Sequence, residues 1–113
     1  MRIILDGMGG DNAPAAIVEG AVKAAEEIED EIYIIGIENI INEELKKYKY
    51  DENRIRVFNA DEVISNQEAP VKAVRTKKGS SLVKGIGMLK EGEGDIFISA
   101  GSTGALMAAG LFT

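Results

Sequence analysis

Apolar positions along this chain fall into short β-branched runs separated by longer stretches with helical spacing. This arrangement is the pattern of strands that alternate with helices. The predicted strands span 2–6, 31–37, 54–58 and 95–99, and the predicted helices span 14–29, 38–48, 70–78, a segment from Ser80 or Ser81 to 91, and a last segment from 104 onwards. The alternation predicts an α/β fold class, namely a layered α/β/α domain with a mostly parallel sheet.

The composition of these elements predicts which faces are buried. Residues 31–37 form an almost continuous apolar run, typical of a strand buried on both faces, whereas 54–58 alternate and indicate an edge strand. Two helices carry apolar stripes, formed by Ile17, Ala21, Ala24 or Ala25 and Ile28 in the first and by Leu82, Ile86 and Leu89 in the second. Gly85 and Gly87 each cost that second helix about 1 kcal/mol relative to alanine. They indicate close packing against another backbone, with a subunit interface as one candidate.

Two glycine-rich loops, 6–12 and 99–105, each follow a predicted strand and open a predicted helix. Their sequences are Asp-Gly-Met-Gly-Gly-Asp-Asn and Ser-Ala-Gly-Ser-Thr-Gly-Ala. A strand that ends in glycines before a helix presents unpaired N–H groups and the positive end of the helix dipole. Both loops are therefore candidate anion sites.

The polar side chains of these loops allow two interpretations. Asp6 and Asp11 can close a tight turn while the glycines adopt positive φ. Alternatively, Asp6 points into the crevice at the carboxyl end of the sheet, where open α/β sheets place their ligands. Ser102 and Thr103 are either helix caps or hydroxyl donors to an anion. The residues alone leave both interpretations open.

Charge is unevenly distributed along the chain. The net charge is −6, which argues against nucleic acid as a partner. Residues 69–90 contain six basic residues and no acidic one, so this segment carries +6 while the remainder carries −12. The non-functional interpretation of Lys77 and Lys78 is a solvated helix face. The specific one is a docking face for an anionic partner.

Absent residue types narrow the chemistry. The chain has no Cys and no His, which excludes from these residues a thiol nucleophile, a Ser-His-Asp triad, a disulfide framework and the usual zinc sites. Neither a leader segment nor an apolar run near 18 residues is recognisable. We expect a soluble, cytoplasmic protein, with peripheral membrane contact left open. Residues 104–113 form a helix without a recognisable end, so we also expect an incomplete domain.

A nicotinamide site is a weaker alternative. Gly7 and Gly9 match the first two glycines of the dinucleotide fingerprint, but Asn12 occupies the place of the third. Glu38 follows the second strand and has the position of a ribose-binding acid. One match and one mismatch keep a nicotinamide-dependent dehydrogenase as a rival function.

Three segments in order, 1–14, 69–81 and 99–105, resemble the amino-terminal part of the PlsX-type phosphate acyltransferases, and the resemblance covers essentially the whole chain. It implies the amino-terminal part of a single α/β acyltransferase domain with an isocitrate/isopropylmalate dehydrogenase-like fold. The implied activity moves a fatty acyl group from acyl-acyl carrier protein to inorganic phosphate, giving acyl phosphate for phospholipid synthesis, without a cofactor. The implied partners are a second copy in a homodimer and, peripherally, a membrane or a downstream glycerol-phosphate acyltransferase.

The resemblance also implies site residues. The chain departs from the family at Gly7 and Asn12, where Ala and His are usual, and at Ser102, where Asn is usual. The candidate catalytic residues are Asp6, Asn12, Ser102 and Thr103. The candidate phosphate and substrate contacts are Gly9, Gly10, Asp11, Ser99, Gly101, Gly104, Lys72, Arg75, Lys77 and Lys78. We expect the 113-residue chain alone to be inactive, and a non-catalytic anion-binding module remains a second rival function.

Overall fold

A computed structural model describes residues 1–65, 68–101 and 103–112 of the chain. Its elements are β1 Arg2–Asp6, α1 Ala15–Glu27, β2 Glu31–Gly36, α2 Glu38–Leu45, β3 Ile55–Asn59, α3 Pro70–Thr76, α4 Ser81–Lys90, β4 Ile96–Ile98 and α5 Thr103–Phe112. Every predicted strand and helix is present. The apolar runs and helical spacings were therefore sufficient to locate the elements to within a few residues.

The described strands form one parallel sheet in the order β3-β2-β1-β4. Ile4 of β1 lies between Tyr33 of β2 and Phe97 of β4. The third strand lies at the edge of this sheet, as its alternating sequence predicts, and the apolar run of β2 lies inside it. The parallel order confirms the α/β fold class.

Helices cover both faces of the sheet. On one face, Ile32 and Ile34 of β2 pack in a core with α1 and α2. On the other face, Tyr33 and Ile35 pack with Met88 of α4. Helices α3 and α5 pack with α4. Because alternate residues of β2 enter opposite cores, the strand is buried on both sides and the layered α/β/α architecture is confirmed.

The buried stripes differ in detail from the prediction. In α1 the buried residues are Val18, Ala21, Val22 and Ala25. In α4 they include Leu82 and Ile86, as predicted, and Met88 rather than Leu89. A Cβ atom on Gly85 would lie 2.2 Å from Cε1 of Phe97, so α4 does pack closely there, but against an aromatic ring rather than a backbone.

The strand order places a topological switch point between β1 and β4. The connection from β1 leads to β2 on one side, whereas the connection from β3 leads through α3 and α4 to β4 on the other side of β1. Open α/β sheets bind ligands in the crevice at the carboxyl ends of the strands that flank such a point. Both glycine-rich loops begin at these two strand ends.

An apolar groove of about 270 Å³ runs between α1 and the β4 edge. It is lined by Ile3, Leu5, Ala16, Ile17, Gly20, Ala21, Ala24 and Ile98. Ile98 is 52% exposed and Ile96 is 40% exposed, so the open edge of the sheet carries large apolar side chains. None of the described helices is long and apolar enough to cross a membrane.

Candidate functional site

The carboxylate of Asp6 is the buried centre of the loop region. Asp6 ends β1 and is only 3% exposed. Its Oδ1 atom accepts hydrogen bonds from the Ser81 hydroxyl at 2.5 Å and from the Met8 N–H group at 3.1 Å. Its Oδ2 atom accepts from the Ser99 hydroxyl at 2.8 Å. Among the described residues no Lys or Arg forms an ion pair with it, so these three donors stabilise the carboxylate.

The same carboxylate fixes the direction of the neighbouring hydrogen bonds. The hydroxyl groups of Ser81 and Ser99 both donate to Asp6. The Ser99 oxygen then accepts from the Gly101 N–H group at 3.1 Å. The loop after β4 is thereby connected through Ser99 to the end of β1.

The two glycine-rich loops are in direct contact. A Cβ atom on Gly9 would lie 2.7 Å from Asp6 Oδ2, 2.9 Å from Ser99 Oγ and 3.0 Å from the Gly101 nitrogen. One on Gly101 would lie 3.3 Å from the Gly9 Cα atom. Gly10 has a φ of +94° and packs against Ala100. Glycine is therefore required where the loops meet, and the structure brings Gly9, Gly10, Ser99 and Gly101 together.

The loop after β1 retains unused hydrogen-bond donors. Gly7 donates its N–H group to the Ile35 carbonyl at 2.8 Å, and Met8 donates to Asp6. Within the described part of the chain, the N–H groups of Gly9 and Gly10 donate to no other atom. Successive unpaired N–H groups in a turn are suited to binding an anion.

The other candidates in the loops have different surroundings. Asp11 and Asn12 are exposed between Gly10 and α1. Neither side chain caps α1, whose N-cap is Pro14 and has no side-chain hydrogen bond. Thr103 begins α5 and Gly104 is exposed in its first turn. Ser102 and the side chain of Thr103 lie outside the described residues.

Lys77 binds to the loop that precedes α3. Its ammonium group forms an ion pair with Glu68 at 2.7 Å and donates to the Val63 carbonyl at 2.9 Å. The hydrogen bond from Lys77, together with one from the Ser65 N–H group at 2.7 Å, lowers the pKa of Glu68 below its usual value. Lys77 thus connects the carboxyl end of α3 with the loop that leads into α3.

The remaining cations of the basic segment lie on the surface. Lys72, Arg75 and Lys78 are exposed. Lys72 and Arg75 border a shallow cleft on α3, which also includes Val71, itself 44% exposed. A surface that mixes exposed cations with an exposed apolar side chain is suited to an amphipathic, negatively charged partner.

Ser80 and Ser81, at either of which the sequence predicts the start of a helix, have separate roles in the structure. Ser80 is the N-cap of α4, and its hydroxyl oxygen accepts from the Val83 N–H group at 3.2 Å. Ser81 instead reaches Asp6. The only signal in the sequence was a pair of serines where one is enough for a cap.

Glu38 is the residue that a nicotinamide site would use to bind a ribose. Glu38 begins α2, and its N–H group donates to the Asn59 side chain at 3.1 Å. Among the described residues no group of three or more carboxylates is placed to hold a metal ion. The converging glycine-rich loops, with the unused N–H groups of Gly9 and Gly10, are the candidate site.

Comparison with known proteins shows the family of the chain. The sequence profile of the family described as "Fatty acid synthesis protein" matches residues 1–113. The chain is 55% identical over 113 residues to a phosphate acyltransferase of Halothermothrix orenii, covering 99% of this chain and 34% of that protein. Identity is 47% over 112 residues to a phosphate acyltransferase of Clostridioides difficile, covering 99% and 33%. The chain thus spans about a third of the length of these curated relatives, and it belongs to the fatty acid synthesis protein family.

Proposed function

We propose that the complete protein containing this chain is a phosphate acyltransferase. It transfers a fatty acyl group from acyl-acyl carrier protein to inorganic phosphate, and the acyl phosphate formed enters phospholipid synthesis. The observation that carries the proposal is the contact between the two glycine-rich loops at the switch point, with the Gly9 and Gly10 N–H groups unused. The names of the relatives support the same activity.

The reaction suits a chain without Cys or His. An oxygen of hydrogen phosphate attacks the thioester carbonyl carbon, a C–O bond forms and the C–S bond breaks. The proton of hydrogen phosphate ends on the departing thiol of the carrier. Because phosphate itself is the nucleophile, the protein has to bind it, orient it and stabilise the tetrahedral oxyanion.

The loop residues divide these tasks. The N–H groups of Gly9 and Gly10 hold phosphate, and Asp11, Ser99, Gly101 and Gly104 shape the crevice around it. Asn12, Ser102 and Thr103 supply hydrogen-bond donors to the oxyanion. Asn12 donates hydrogen bonds but exchanges no proton near neutral pH, in contrast to the His usual in the family. Asp6 accepts hydrogen bonds from three groups of the chain, so we assign it to positioning the loops.

The exposed cations of α3 and of the turn that follows it form the docking face for the carrier. Lys72, Arg75 and Lys78 would meet an acidic carrier surface in a contact that weakens with added salt. The 113-residue chain forms the amino-terminal part of a single α/β domain that acts in the cytoplasm as a cofactor-free homodimer. A membrane surface and a downstream glycerol-phosphate acyltransferase are further partners of the complete protein.

The rival functions make different predictions. A nicotinamide-dependent dehydrogenase would bind NADH, but Asn12 stands where its fingerprint needs glycine, and the relatives named phosphate acyltransferase do not favour it. A non-catalytic module would bind phosphate without turnover. Titration with NADH and an assay of acyl phosphate formation separate the three functions.

The decisive experiment uses a chimera in which residues 1–113 replace the matched third of the Halothermothrix orenii enzyme. Acyl phosphate formation from acyl carrier protein thioester and phosphate is measured for the chimera and for two glycine variants. Gly9→Ala forces a Cβ atom to within 2.7 Å of Asp6 Oδ2, so we expect a loss of activity of at least about tenfold. Gly87→Ala is the control, because nothing lies within 4 Å of its Cβ position.

Two results would contradict the proposal. One is an inactive chimera that folds and dimerises as well as the active Halothermothrix enzyme. The other is a Gly9→Ala variant with the KM for phosphate and the kcat of the unmodified chimera.

A further inference from the structure

Ser80 and Ser81 are both buried at the start of α4 but have different partners. Ser80 is 0% and Ser81 2% exposed. Ser80 accepts from Val83, three residues away, and so serves its own helix. Ser81 donates to Asp6 at 2.5 Å across a sequence separation of 75 residues. The two neighbouring serines therefore form a matched pair for mutagenesis. The hydroxyl of Ser80 makes a local hydrogen bond, and that of Ser81 makes a long-range one.

Asp6 receives donors from three separate segments. These are the first residue of α4 through Ser81, the loop after β1 through Met8, and the loop after β4 through Ser99. Removing one hydroxyl would leave a buried carboxylate oxygen with fewer donors, which is more disruptive than losing a hydrogen bond on the surface.

The position of Asp6 determines the contact between the glycine-rich loops. Its Oδ2 atom and the Ser99 hydroxyl border the space beside Gly9, and Ser99 also receives the Gly101 N–H group. A shift of the carboxylate would therefore move both loops. Because Ser81 holds the other carboxylate oxygen, it constrains that shift from α4.

We infer that Ser81 is a positioning residue for phosphate binding, acting through Asp6 on the loops after β1 and β4. The inference rests on the proposed function, in which the Gly9 and Gly10 N–H groups bind phosphate. Ser81 itself contacts no substrate in this assignment. Its hydroxyl keeps the carboxylate, and with it the two loops, in the geometry that phosphate requires.

The test compares Ser81→Ala with Ser80→Ala in the chimera described above. We expect Ser81→Ala to raise the KM for phosphate about tenfold, the size expected for losing a hydrogen bond to a charged group. The KM for the acyl carrier protein thioester should not change. Ser80→Ala should lower Tm through loss of the cap and leave both KM values unchanged.

Hydrogen exchange provides a readout that is independent of turnover. Ser81→Ala should accelerate amide exchange in peptides covering 7–12 and 99–104, which are remote from residue 81 in sequence. Ser80→Ala should accelerate exchange only in the first turn of α4. A merely structural role of Ser81 would give both variants the same pattern.

A double-mutant cycle tests the route through Asp6. In an Asp6→Asn background, Ser81→Ala should have little further effect on the KM for phosphate. Fully additive effects of Asp6→Asn and Ser81→Ala on the KM for phosphate would show that Ser81 does not act through Asp6. A Ser81→Ala variant with an unchanged KM for phosphate and with faster exchange only in α4 would overturn the positioning role of Ser81. If the unmodified chimera makes no acyl phosphate, the proposed function fails, while the exchange patterns still confirm or overturn the positioning of the loops by Ser81.

Discussion

Lys77 and Lys78 are adjacent cations with different surroundings. Lys77 is about one-third exposed and pairs with Glu68, whereas Lys78 is exposed on the turn before α4. Reversing the charge of Lys77 would place two carboxylates together and disturb the loop before α3. A test of carrier docking that changed Lys77 would therefore mix stability with binding.

The Glu68 and Lys77 pair makes stability depend on pH. The pKa of Glu68 is lower in the folded chain than its ordinary value. Its stabilising contribution is therefore complete above the ordinary pKa and is lost as pH falls through the lowered one. We expect Tm to decrease towards acid pH more steeply in the native chain than in a Glu68→Gln variant.

The measurement is Tm against pH for both proteins, with Glu52→Gln as the control. Glu52 is exposed and is not part of this ion pair. The Tm curves of the native chain and of Glu68→Gln should converge at acid pH, whereas the curve of Glu52→Gln should follow that of the native chain throughout. Parallel curves for the native chain and Glu68→Gln at every pH would show that the pair does not contribute to folding.

At the scale of elements, α3 combines exposed cations with a buried side that holds it to the fold. Ala73 and Val74 are buried in the core shared with α4 and α5. Lys72 and Arg75 are exposed on the same short helix. Changes on the exposed side should therefore affect partners before they affect the fold.

The carrier-docking assignment predicts the effect of reversing two exposed charges. We expect Lys72→Glu with Lys78→Glu in the chimera to raise the KM for the acyl carrier protein thioester severalfold, with Tm unchanged. The KM for phosphate should not change. Added salt should weaken the unmodified chimera similarly and the double variant less.

The matched control is Lys49→Glu with Arg56→Glu, which reverses two exposed cations outside the basic segment. Within the described residues neither side chain forms an ion pair. Kinetics for this control should match the unmodified chimera. If both double variants raise the KM equally, the effect is one of net charge, and α3 is not a specific docking face.

Elements and site were predictable from the sequence to different degrees. The strands were located because their apolar runs are local features, and the glycine-rich loops because glycine pairs after a strand are conspicuous. The buried side of α1 depends on how the helix rests on the sheet, so Val18 is buried where the spacing indicated Ile17. The bond between Ser81 and Asp6 joins distant parts of the chain. No local pattern distinguishes it from a cap.

At the scale of the whole molecule, the sheet has an open apolar edge at β4. Ile98 is 52% exposed and lines the groove beside α1, where Gly20 has nothing within 4 Å of its Cβ position. An edge strand with exposed apolar side chains readily pairs with another chain. The curated relatives are about three times as long as this chain, and their additional residues are natural candidates to cover such a surface.

This edge predicts self-association of the 113-residue chain in isolation. We expect its average mass in sedimentation to rise with concentration, because association buries the groove and the open strand. Ile98→Lys should shift the chain towards monomer, since a charged side chain on an edge strand opposes pairing. Ile40→Lys is the control, because Ile40 is 42% exposed on α2 but does not line the groove.

In the chimera the same Ile98→Lys change should lower Tm if the additional residues bury Ile98. A native chain that stays monomeric with a cooperative melt would contradict the prediction, and association lost equally in both variants would place the contact elsewhere.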